Sequence, residues 1–176
     1  MKALLGTACL MALVAAAPAI AQSGPKTLQQ PDQDFLVKAS EGNVSEIKLG
    51  QLAMHKANNP QVKQFAQRMI EDHTKAQQQL VKDTEGMNII DPDHMTKDAA
   101  GLYDKLNQES GADFDKDYMN AMVNDHQDDV NTFQDQIKNG KNEHLKTYAQ
   151  NTLPVLQNHL QSAKEINQQV AKNEKS

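Results

Sequence analysis

The sequence predicts an all-α protein: a four-helix bundle with a short extra helix in the crossover between the second and third long helices. Two observations carry this. Four stretches of about 25 residues place apolar side chains at 3.6-residue spacing, and strand-type alternation is almost absent. The breaks between them, "NNP" at 58–60, "SG" at 110–111 and "NGKN" at 139–142, are turn and helix-cap sequences. At 1.5 Å per residue each long helix would extend roughly 38 Å, enough to share one continuous core.

The first helix is expected from Asp32, as N-cap, to about Ala57, with Phe35, Ala39, Gly42, Glu46, Leu49 and Ala53 on its apolar stripe. Asn59 and Pro60 are the cap and first residue of the second. It carries Val62, Phe65, Ala66, Met69, His73, Ala76 and Leu80 and closes at Gly86. After the loop "GMNIIDPDHM" comes a shorter helical segment at 97–109. The third long helix, 113–138, aligns Tyr118, Met119, Met122, His126, Val130, Phe133 and Ile137. The fourth, 143–170, aligns Leu145, Ala149, Thr152, Leu156, His159, Ala163, Ile166 and Val170. Pro154 inside it should kink the helix or leave the Gln150 carbonyl without its helical donor. The bundle domain is thus expected over 32–170, after a polar linker at 22–31 and before a disordered tail at 171–176.

Residues 1–21, with Lys2, an apolar run and Ala19-Ile20-Ala21, have the form of a secretory signal peptide. Cys9 lies before most of the apolar run, which argues against an acylated lipoprotein cysteine. Cleavage after Ala21 would remove this single cysteine, leaving no disulfide and no thiolate ligand. It would also leave 17 basic against 23 acidic residues, near −6, with the signs mixed along the chain. That balance argues against nucleic acid or an anionic membrane as partner. No second run of membrane length follows, so a soluble periplasmic protein exported by the general secretory route is expected. No protein partner is indicated. No Gly-rich phosphate loop or G-x-S-x-G elbow marks an enzyme.

One pattern breaks the apolar stripes. Glu46, His73, His126 and His159 each occupy a core position near the middle of a different helix, so antiparallel packing should bring them to one level. Imidazoles and a carboxylate from facing helices form a first shell for one transition-metal ion, with zinc or copper favoured over a di-iron centre. Asp72 and Asp125, each beside a histidine, could orient imidazoles or ligate, and Glu41 is a further candidate. The alternative is a metal-free hydrogen-bond network in a structural or stress-related protein, with Glu46 accepting from two histidines and Tyr118, Tyr148 or water satisfying the third. His55, His94 and His144 fall at a helix end, in a loop and in a first turn, and are expected at the surface.

The stretches "DFLVKASEGNVSEIKLGQLAMHKANNPQVKQFAQRMIEDHTKA", "FDKDYMNAMVNDHQDDVNTF" and "YAQNTLPVLQNHL" resemble, in this order, the bacterial domain-of-unknown-function 4142 family, often labelled predicted outer-membrane proteins. The resemblance spans about residues 33–168 and implies a ferritin-like four-helix fold in an exported protein. It implies no catalytic residue. Its characteristic positions map onto Glu46, Asp72-His73, Asp125-His126 and His159. The outer-membrane label finds no counterpart here, since barrel-type alternation is lacking. Ile70, Val123 and Leu156, three residues before the histidines, also depart from the Glu-x-x-His motif of di-iron bundles.

Overall fold

A computed structural model describes residues 28–85, 87 and 94–173, so the signal-peptide segment and most of the "GMNIIDPDHM" loop lie outside it. Among the described residues five helices follow one another: α1 Gln30–Lys56, α2 Pro60–Asp83, α3 Lys97–Asn107, α4 Gly111–Asn139 and α5 Glu143–Asn173. No strand occurs among the described residues, and the all-α bundle is as expected.

Two helical hairpins build the bundle. Short turns join α1 to α2 and α4 to α5; α2 then packs on α5, and α1 on α4. Asn59 caps α2 by accepting from Gln61 N–H at 2.8 Å, with Pro60 at the first helical position. Asn142 caps α5 in the same way, accepting from His144 and Leu145 N–H at 3.0 and 3.2 Å. Gly50 lets α1 approach α2 closely, since a Cβ there would meet Ile70 and the Ala66 carbonyl at 3.0 and 3.1 Å. The crossover from α2 carries α3, whose cap Thr96 is tied to α1 through its N–H and Ser45 Oγ at 3.2 Å.

The helix ends differ from expectation in instructive ways. The first helix starts at Gln30, because Pro31 is tolerated in a first turn, and Asp32 is not its cap. Asp32 is instead buried and accepts from Gln136 Nε2 at 2.9 Å and Lys141 N–H at 3.0 Å, clamping the α4–α5 corner. Asp115, at the start of α4, does the same for the opposite corner, accepting from Asn58 and Asn59 N–H at 3.0 and 2.8 Å. Burial nevertheless raises its pKa, with those two hydrogen bonds pulling the other way. The third long helix begins at Gly111, whose φ of 63° suits glycine. The last runs past residue 170 to Asn173 and continues through the exposed Pro154.

The paired clamps expose an internal correspondence. Shifting the sequence by 83 positions carries Asp32 onto Asp115, Phe35 onto Tyr118, Asn59 onto Asn142, Phe65 onto Tyr148 and Ala66 onto Ala149. The two hairpins are therefore approximate copies, each fastened to the turn of the other.

The apolar core is split. One cluster gathers Leu49, Phe65, Met69, Phe114, Tyr118 and Met122. A second gathers Phe35, Leu80, Phe133, Leu145, Tyr148 and Leu156. Along α1, Asn43 and Glu46 fall between Ala39 of the second cluster and Leu49 of the first, and both are buried. Gly42, expected on that stripe, is half-buried and meets nothing within 4 Å of a built Cβ, so Asn43 takes the inward position.

Replacing Asp115 by Ala should lower unfolding free energy by about 1–3 kcal/mol, the scale of losing a charge-assisted acceptor for two backbone donors. Asp32→Ala should cost a similar amount, and the two losses should add, because the clamps sit at opposite ends of the bundle. Urea denaturation of the single and double variants measures this.

Candidate metal centre

His73 on α2, His126 on α4 and His159 on α5 meet between the two apolar clusters, all three buried. Their ring centroids are 5.7 Å apart for His73 and His126, 5.5 Å for His73 and His159, and 5.3 Å for His126 and His159. Each offers one ligand nitrogen, and these lie within 4.8 Å of one another. Phe65 forms an aromatic wall, its ring 6.3 Å from His126 and 6.5 Å from His159.

The other nitrogen of each ring faces an oxygen that can only accept. His73 Nδ1–H donates to Asn43 Oδ1 at 3.0 Å. The Asn43 amide is already spent, donating to Tyr148 Oη at 3.1 Å and Gln77 Oε1 at 3.2 Å. Gln77 in turn donates to Ser40 Oγ at 2.9 Å, so two amides and two hydroxyls form one chain behind His73. His126 Nδ1–H donates to its own helix at Met122 O, 2.9 Å away. His159 Nε2–H donates to Asp72 Oδ2 at 3.1 Å. The Met122 carbonyl and the Asp72 carboxylate set the tautomers of His126 and His159, and His73 Nε2, His126 Nε2 and His159 Nδ1 have no hydrogen-bond partner.

The rings are also kept neutral. Burial lowers the pKa of His73, and the neighbouring His126 and His159 add to it. Burial and then His159 push His126 down to about 4, against Asp125 and the Met122 carbonyl. Burial lowers His159 too, although Asp72 opposes it. Neutral imidazoles with inward lone pairs are the protonation state that metal ligation requires.

Glu46 lies at this level of α1, fully buried, and neither carboxyl oxygen has a hydrogen-bond partner. It is not one of the residues whose ligand atoms fall within 4.8 Å of one another. Burial, followed by the charges of Asp125 and Asp129, raises its pKa well above the carboxylate range. Tyr118, whose hydroxyl is likewise unpartnered, is shifted up by burial and by Glu46. Burial, then Asp125 and Asp128, push Asp129 up to about 8.

The remaining candidates separate. Asp72 orients an imidazole, but that of His159 on α5 and not of the adjacent His73. Asp125 is exposed and has no hydrogen bond to a histidine; it acts on His126 through its charge, and on Glu46 through its charge and the approach of the two carboxyl groups. Glu41 is away from the centre, 3.9 Å from the exposed His94. Tyr148 reaches the histidines only through Asn43. His55 and His144 are exposed, as expected. Asn43 escaped the sequence reading, although its position three residues before Glu46 puts it on the same face of α1.

The profile of the family described as domain of unknown function (DUF4142) matches residues 17–166. The chain belongs to this family. No curated protein and no solved structure matches it. Family membership assigns no chemistry, so the function must be read from the side chains. No helix among the described residues is long and apolar enough to cross a membrane.

The raised pKa of Glu46 gives a signed prediction for the chelated protein. An unfolded chain ionises this carboxyl near pH 4.5, whereas the folded core resists ionisation, so its cost to stability grows as pH rises above 4.5. Glu46→Gln should therefore stabilise the chelated protein at pH 8 by on the order of 1–3 kcal/mol. The gain should vanish as pH falls toward 4.5. Urea midpoints of both proteins across that range measure it.

Proposed function

We propose that this protein is an exported metal-binding bundle, holding one zinc or copper ion on His73 Nε2, His126 Nε2 and His159 Nδ1. Glu46 is the fourth ligand or the nearby counter-charge. One observation carries the reading: three buried imidazoles, each hydrogen-bonded through one ring nitrogen, converge with their other nitrogens unpartnered. Three points no further apart than 4.8 Å lie within about 2.8 Å of a common centre, and closing that radius to the roughly 2.0–2.1 Å of a zinc–imidazole bond takes sub-ångström ring shifts. The donor set suits zinc or copper. Ile70, Val123 and Leu156 in place of glutamates weigh against a carboxylate-rich di-iron centre.

A metal-free hydrogen-bond layer is supported by the bonds to Asn43, Met122 O and Asp72. Those bonds consume every imidazole N–H, however, and leave the three acceptors to face each other. A network evolved only to fix helix register would pair them. Export rests on the form of residues 1–21, and a chain translocated unfolded would take up its metal in the periplasm. Buffering or carrying the ion is the role that fits.

Elemental analysis of the untagged protein from a periplasmic extract tests this. About one zinc or copper per chain is expected, and metal at a hundredfold excess over Kd should raise Tm by about 5–10 °C. His126→Ala should abolish the shift. Because burial holds the rings neutral far below the usual imidazole pKa, occupancy should persist through pH 6 and fall only toward about 4. Absence of metal, with no shift on adding zinc or copper, would leave the layer as a hydrogen-bond network.

A further inference from the structure

The three histidines are anchored unequally. His73 is tied through Asn43 to Tyr148 and Gln77 inside the bundle. His126 is tied to the backbone of its own helix. Only His159 donates its hydrogen bond to a side chain that reaches solvent: Asp72, 28% exposed against 2% for the imidazole. Both residues line a surface groove of about 440 Å³ between α2 and α5, together with Arg68, Val155, Asn158 and Ser162.

His159 thus has two faces. Nδ1 looks into the triad, while Nε2 looks through Asp72 to the groove. Asp72 has one oxygen on the imidazole and the other 3.3 Å from the exposed Lys75 ammonium, a contact that water and salt readily loosen. The helix is softened nearby. Pro154 has no N–H for the Gln150 carbonyl, and it stands five residues before His159. Turning the His159 ring toward the groove would break one half-exposed hydrogen bond and uncover the two fixed nitrogens behind it.

We infer that a divalent cation enters the centre through the α2–α5 groove, with Asp72 as its capture ligand and His159 as the side chain that carries it inward. The inference rests on the metal-binding reading above. It adds a site of first contact and divides the histidines into one mobile ligand and two fixed ones. A carboxylate at the surface raises local cation concentration and the association rate, an effect that salt screens. After transfer, Asp72 is again the acceptor for His159 Nε2–H and holds the ring in its ligating orientation.

Stopped-flow mixing of the chelator-stripped, full bundle with cobalt(II), read by its d–d absorption, tests this. Asp72→Asn keeps an oxygen acceptor for His159 but removes the charge. Its association rate should fall about fivefold at low salt and depend less on ionic strength, while equilibrium affinity changes less than the rate. Val155→Trp, at an exposed position of the groove lining, should also slow loading and leave affinity unchanged. Asn43→Ala, which frees His73 at the interior end, should weaken affinity through faster loss of the ion, at a nearly normal association rate. Normal loading of Asp72→Asn and Val155→Trp by a wild type that does bind cobalt overturns the groove alone. A wild type that binds neither cobalt nor zinc overturns the metal centre and the groove together.

Discussion

Three acceptors decide where the imidazole protons sit: Asn43 Oδ1, the Met122 carbonyl and the Asp72 carboxylate. None can donate, so each takes an N–H and turns a lone pair inward. A buried polar atom without a partner costs about 1–3 kcal/mol, and three together amount to a large share of the 5–15 kcal/mol by which a domain is stable. The layer therefore interrupts the core at a considerable cost. The apolar clusters above and below it, with Phe65 and Tyr148 among their fully buried side chains, hold the helices together despite it.

The frame around the layer is nearly symmetric, and the layer is not. The two hairpins share their clamps, caps and aromatic residues, and Asp32 and Asp115 lock each hairpin to the turn of the other. Under the same shift of 83 positions, however, His126 corresponds to Asn43, His159 to Ala76, and His73 to Leu156. Clamps at both ends fix how far each helix can slide, which matters because one residue of axial slip displaces a side chain by about 1.5 Å. Three ring nitrogens that lie within 4.8 Å of one another would be parted by such play. The symmetric residues set the register, and the asymmetric ones use it.

What the sequence made legible follows from this division. Helical periodicity exposed the histidines because a polar residue on an apolar stripe is conspicuous, and turn sequences located the corners to within a few residues. Partnerships were another matter. Asp72 and Asp125 look equivalent in the chain, each preceding a histidine, yet Asp72 serves His159 across the α2–α5 interface and Asp125 is exposed. Which neighbour a side chain reaches depends on helix rotation and crossing, which periodicity does not contain. Asp32 was read as a cap from local sequence and instead bonds residues more than a hundred positions away. Asn43 was passed over because Gly42 fits the same stripe within the uncertainty of a helical wheel.

Charge balance bears on which occupant the layer suits. Three neutral imidazoles contribute no charge, so a divalent ion among them would be uncompensated in an apolar core. Glu46, on giving up its proton, would supply one of the two negative charges needed, and neither of its oxygens has a hydrogen-bond partner. The same burial and the same neighbouring carboxylates that hold it protonated would be opposed by an incoming cation. On the metal-binding reading, proton and metal ion are alternative means of neutralising one carboxyl, and loading the site would release the proton. In a metal-free layer a protonated Glu46 is a hydrogen-bond donor, a role that a glutamine would fill without the cost of a resisted ionisation. A carboxyl in a fully buried place, with neither oxygen in a hydrogen bond, is what favours a cation over a purely structural layer.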